Sequence, residues 1–150
     1  MLLNQEVFAS IIHNTPLISI DLIVENIKGQ ILLGKRINEP AKDFWFVPGG
    51  RIFKDETLDT AFARIVENEI GLDIKRKDAM FIDVYEHFYK NNVFDNQFST
   101  HYVVLAHKIT TDEKLVLNDQ HEKYEWFEKD LLLNIDDVHK YTKDYFKGNR

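Results

Sequence analysis

The sequence predicts a single-domain α+β sandwich, residues 1–150, built from a β-sheet and helices. Three observations lead there. Strand-like segments stand both before and after one long amphipathic helix, and short helical segments sit at the two ends. That order fits an α+β sandwich and not a doubly wound sheet, which needs strands and helices in alternation. The chain has 150 residues, 44% of them hydrophobic, enough for a sizeable core without staples.

Asn4 to Asn14 reads as a short amphipathic helix with Phe8, Ile11 and Ile12 on one side, closed off before Pro16. Leu17–Glu25 and Gln30–Arg36 are rich in β-branched and aliphatic residues, and Gly29 marks a turn between them, so a hairpin is expected. Asn38 to Trp45 reads as a loop, and the run Val47, Pro48, Gly49, Gly50 as a strong break. A helix is expected from about Thr57 to Ile70, with Gly71 as its left-handed stop. Strands follow near Met80–Tyr89, Phe98–Ile109 and Tyr124–Glu128, and helical segments near Lys129 and over Asp136–Phe146.

Composition narrows the function. The absence of Cys removes thiolate metal sites, thiol nucleophiles and disulfides. A formal charge of −6 argues against a nucleic-acid backbone as partner, although a few Arg residues can still hold a small anion. No targeting segment and no run of membrane-spanning length is visible, which makes a cytoplasmic protein the expectation.

The chemistry concentrates in residues 50–72. At 100° per residue, Leu58, Phe62, Ile65 and Val66 share one helical arc, and Glu69 falls inside it. A carboxylate on an apolar arc is unfavourable unless a cation or hydrogen bonds compensate. From rotation alone, a metal ligand and a carboxylate paired to N–H groups or Arg stand level. This stretch resembles the Nudix box, G-x5-E-x7-R-E-U-x-E-E-x-G-U with U bulky and aliphatic. Gly50, Glu56, Arg64, Val66, Glu69, Gly71 and Leu72 match at the family's spacing. The resemblance implies a Nudix-type α/β/α sandwich with a mixed sheet. The chain departs at two positions, Ile65 and Asn68, where the pattern has Glu. Those carboxylates help ordinary Nudix hydrolases bind several cations for attack on phosphorus, so their loss implies fewer metals and relocated chemistry.

Other segments, among them Leu33–Arg36, Trp45–Arg51, Glu86–Tyr89, Thr100–Val104 and Asp119–His121, resemble the GDP-mannose mannosyl hydrolase subfamily, which shares both departures. That resemblance implies hydrolysis of GDP-mannose, with GDP-glucose a second candidate. Water would displace GDP from the anomeric carbon in a homodimer with one Mg²⁺ per subunit, Mn²⁺ being an alternative. It implies metal ligation by Gly49, Glu69 and Gln120, with His121 as general base, an imidazole being suited to that task near neutral pH. Asp21, an Asp in mid-strand, and His87, among aromatics, would sit by the sugar, each with a structural alternative: an edge residue facing water, or a core histidine. Arg36 and Arg51 would counter the departing diphosphate, and Tyr102 would donate to a phosphate. Leu2, Leu3 and Phe8 would contact the base across the dimer interface. Arg64 reads as structural, pairing Glu56. Two rivals remain: a conventional Nudix pyrophosphohydrolase giving a nucleoside monophosphate and sugar 1-phosphate, and a Nudix-fold sensor without turnover.

Overall fold

The computed structural model describes residues 3–117 and 121–148, with the side chains of 121 and 122 excepted. Helix α1 spans Gln5–Asn14, and the Asn4 side chain caps it by accepting from the Val7 N–H at 2.9 Å. Strands β1 (Leu17–Glu25), β2 (Gln30–Arg36), β3 (Trp45–Phe46) and β4 (Gly49–Arg51) lead into helix α2 (Leu58–Ile70). After a 3-10 turn at Arg76–Asp78 come β5 (Met80–Tyr89), β6 (Thr100–Thr110), β7 (His121–Glu128), α3 (Lys129–Leu132) and α4 (Lys140–Asp144). No helix among the described residues is long and apolar enough to cross a membrane.

The sheet is mixed. β1 runs parallel to β6 over its whole length, and β5 is antiparallel to β6 at the edge. β1 and β2 share only the register pair Glu25 with Ile31, so the expected hairpin opens beyond its turn. The reason is competition: β4 takes the other flank of β1, while β2 pairs with β3 and β7. The expected loop and break therefore contain two short strands. β7 begins at His121 rather than Tyr124, because β2 offers partners from Gln30 through Arg36. His121 thus belongs to a strand, not a loop. The expected C-terminal helix narrows to Lys140–Asp144.

Alternation along β1 sorts side chains to two cores. Ile20, Leu22 and Val24 face α2 and pack with Phe62, Ile65, Val66 and Ile70. Ile23 faces the other way, with Ile31, Leu33, Tyr85, Val104, Ala106, Leu132 and Val138. Helix α2 starts at Thr57, whose hydroxyl accepts from the Thr60 N–H at 3.1 Å. It ends at Gly71 with φ 70°, as its sequence position predicts.

Candidate active site

The second core face turns polar toward one end of the sheet. The register that stacks Ile23, Ala106, Val104 and Tyr85 continues to Asp21, Ser19, Tyr102 and His87. Those side chains line a cleft of about 120 Å³, closed by Arg36, Pro40, Phe46, Val47, Gly49, Gly50, Arg51 and Tyr89.

Asp21 and Gly49 face each other across β1 and β4. The bond from the Leu22 N–H to the Pro48 carbonyl, 2.8 Å, makes theirs a non-hydrogen-bonded pair, the type that brings side chains closest. A Cβ on Gly49 would lie 2.5 Å from Asp21 Oδ1 and 2.6 Å from the Ile20 carbonyl oxygen, so only glycine fits. The same pairing turns the Gly49 carbonyl away from β1. The other carboxylate oxygen, Asp21 Oδ2, accepts from the Tyr145 hydroxyl at 2.5 Å. Burial raises the Asp21 pKa to about 6, against the opposing pull of the Tyr145 hydrogen bond and the Arg36 charge.

His87 is only 4% exposed and lies flat on Tyr141, ring centroids 4.3 Å apart at 6°. Burial, aided by nearby His139, lowers its pKa to about 4, so it is neutral at pH 7. Tyr89 and Tyr102 have raised pKa values, chiefly through burial, and stay protonated donors. This end of the cleft offers one carboxylate and several neutral hydrogen-bonding groups.

Two guanidiniums form the other end. Arg36 donates its Nε–H to the Pro40 carbonyl at 2.9 Å and lies 5.9 Å from the Phe46 ring centre. Arg51 sits between the rings of Phe8 and Phe53, at 4.9 and 5.0 Å. Arg64 forms a bidentate pair with Glu56, at 2.7 and 2.9 Å, and also donates to the Arg51 carbonyl at 2.8 Å. The Phe53 N–H donates to Glu56 at 2.7 Å. The box loop is thus tied to α2, and Arg64 has the structural pairing expected of it.

Glu69 is 4% exposed on the α2 arc among Phe62, Ile65, Val66 and Ile70. Glu69 is not among the residues that line the cleft; a carboxylate and a backbone carbonyl such as that of Gly49 are oxygen donors of the kind a hard cation takes. Among the described residues no group of three or more His, Asp or Glu is placed to hold a metal.

The structure brings Asp21, Arg36, Gly49, Arg51, His87 and Tyr102 to one cleft. The His121 backbone stands opposite Arg36 in the β2–β7 register, while its side chain, Gln120 and Leu2 lie outside the described residues. Phe8 meets Arg51 of its own chain, and Leu3 is half-buried ahead of α1. Sequence reasoning missed Tyr89 and Tyr145. Tyr89 follows His87 by two on a strand and was findable by alternation; Tyr145 had no such signal.

Residues 15–147 match the NUDIX domain family. This chain belongs to the Nudix family. It is 36% identical over 137 residues to the low-salt glycan biosynthesis protein Agl8 of Haloferax volcanii, covering 91% of this chain and 83% of that one. Among solved structures, the MutT NUDIX hydrolase of Burkholderia pseudomallei superposes with TM-score 0.72 at 23% identity, covering 91% of this Nudix protein and all of the other. The NUDIX domain of Shewanella oneidensis NrtR, complexed with ADP ribose, gives TM-score 0.67 at 14% identity and covers 97% and 96%. Those two likenesses establish the fold. Family membership supports hydrolase activity, and Nudix hydrolases generally use divalent metal ions.

Proposed function

We propose that this Nudix protein hydrolyses a nucleoside diphosphate sugar, GDP-mannose foremost, by water attack at the anomeric carbon, giving GDP and free sugar with inversion. The observation that carries this reading is Ile65. It stands where the box has a Glu, is 1% exposed, and packs so closely on the loop that a Cβ at Gly50 would meet its Cγ1 at 3.2 Å. Hydrocarbon fills the place of a metal-binding carboxylate, so chemistry on phosphorus through clustered cations lacks its ligands. The relative named for glycan biosynthesis and the neighbour with bound ADP ribose support a sugar nucleotide as substrate class.

In this reading Arg36 and Arg51 bind the diphosphate, with Tyr102 donating to a phosphate oxygen. Asp21 faces the sugar and stabilises the positive charge that grows at the anomeric carbon. Neutral His87 holds a sugar hydroxyl. His121, opposite Arg36, takes the proton from water. Glu69, Gly49 and Gln120 would hold one Mg²⁺ or Mn²⁺, which when bound neutralises charge on the leaving diphosphate. Leu2, Leu3 and Phe8 contact the base. The chain acts as one domain in a cytoplasmic homodimer, with no nucleic acid or membrane as partner.

The test is the bond broken. In ¹⁸O-water the label should enter the free sugar and leave GDP unlabelled. Label on phosphate, with GMP among the products, would mark a conventional pyrophosphohydrolase. A second expectation concerns the metal: Glu69→Gln should weaken Mn²⁺ binding, read by calorimetry, by roughly 10–100-fold. Unchanged Mn²⁺ affinity would remove Glu69 from the ligand set.

A further inference from the structure

The C-terminal segment packs against two residues that line the cleft, Asp21 and His87, in a way the box does not specify. Helix α4 begins at His139, whose Nδ1 accepts from the Tyr141 N–H at 3.1 Å. Tyr141 stacks on His87, and its hydroxyl both accepts from the Phe88 N–H and donates to the Phe88 carbonyl, at 2.9 Å each. Thr142 is fully buried. One turn later the Tyr145 ring stands edge-on to Tyr85, centroids 4.7 Å apart at 90°. That packing aims its hydroxyl at Asp21 Oδ2, 2.5 Å away, with His87 Nε2 3.5 Å off.

We propose that Tyr145 is a positioning residue of the active site: its hydroxyl fixes the Asp21 carboxylate so that Oδ1 is presented over Gly49 toward the ligand. An aspartate on a strand has two rotors, and neither neighbour along β1, Ile20 or Leu22, can anchor it. With Oδ2 tethered from the α4 side and Oδ1 lodged against Gly49, both rotors are set before a substrate arrives. The C-terminal turn is then part of the catalytic apparatus, anchored at three points: the Tyr141 hydroxyl, the His87 stack and the buried Thr142. This rests on reading Asp21 as the sugar-side carboxylate.

The test is a double-mutant cycle with a substrate-free arm. Tyr145→Phe keeps the ring that packs on Tyr85, so the fold and the affinity for GDP, bound at the Arg36 and Arg51 end, should hold, while the thermal midpoint falls modestly with the lost hydrogen bond to Asp21. Turnover of GDP-mannose should fall by about 10-fold while KM changes little. In an Asp21→Asn background the same change should add less than about 2-fold, because the carboxylate it positions is gone. Full turnover in Tyr145→Phe, or an equal fall in both backgrounds, would overturn the proposal. The substrate-free arm follows the Tyr145 hydroxyl proton by NMR. It should be a slowly exchanging, downfield signal that Asp21→Ala abolishes, and a signal indifferent to Asp21→Ala would also overturn the proposal. That arm decides the contact even if Tyr145→Phe does not fold, or if product analysis returns GMP and the sugar-side reading of Asp21 falls.

Discussion

Asp21→Asn should give a protein that is harder to unfold at pH 8 and at least about 10²-fold slower in turnover. The stability half follows from the raised pKa, about 6 against an ordinary 3.8, which burial imposes on a carboxylate in the cleft. The folded state binds that proton more tightly than the unfolded chain. Its contribution to stability is therefore fully present below about pH 4 and is lost as pH rises through 6. Two pH units correspond to roughly 3 kcal/mol in the metal-free protein, an upper bound on what the neutral amide recovers. Thermal unfolding in chelator should show the gain at pH 8 and little of it at pH 4.5. An equal change at both values would mean that the ionised carboxylate is not disfavoured in the fold. The activity half follows because an amide cannot balance positive charge developing on the sugar.

Gly49→Ala should be nearly as damaging to turnover, through steric displacement of the same group. The new Cβ would meet two oxygens, Asp21 Oδ1 at 2.5 Å and the Ile20 carbonyl at 2.6 Å. The side chain can swing aside, but the carbonyl belongs to the β1 backbone. Either Asp21 leaves its tether to Tyr145 or β4 lifts from β1, and lifting β4 moves the Gly49 carbonyl as well. Overpacking of this kind costs about 1–3 kcal/mol. Gly50→Ala is the control. Its Cβ meets Cγ1 of the Ile65 side chain at 3.2 Å, with no backbone atom in the way, and that side chain needs to give by only a few tenths of an ångström. Denaturant midpoints and kcat for both variants check the contrast; equal losses at the two positions would mean that Asp21 is not what Gly49 makes room for.

The fold was legible where local chemistry sets it. The helix expected from about Thr57 stops at the left-handed Gly71, and β-branched and aromatic residues mark out β1 and β5. Pairing was not legible in the same way. Nothing within β1 or β2 says that β4 and β7 will separate them, and the extension of β7 to His121 is imposed by the length of β2. The candidate site divides likewise. Asp21 stood out because a strand interior disfavours it, and Arg36, Arg51 and Glu69 stood out by motif. Tyr145 had no signal because its role depends on α4 crossing to a strand 124 residues earlier. An aromatic near a chain end looks like packing until the partner is seen.

The Tyr141 hydroxyl has a second effect, unrelated to catalysis. β5 is an edge strand, with Met80, Val84 and Phe88 exposed along it. An edge with free N–H and C=O groups is a template onto which another chain's strand can add. At Phe88 both outward groups are already occupied by one phenol, and the register shift between Phe81 and Asp83 breaks the straight run at the other end. The exposed apolar edge is blunted at both ends, so the turn that holds Asp21 also disfavours open-ended strand addition.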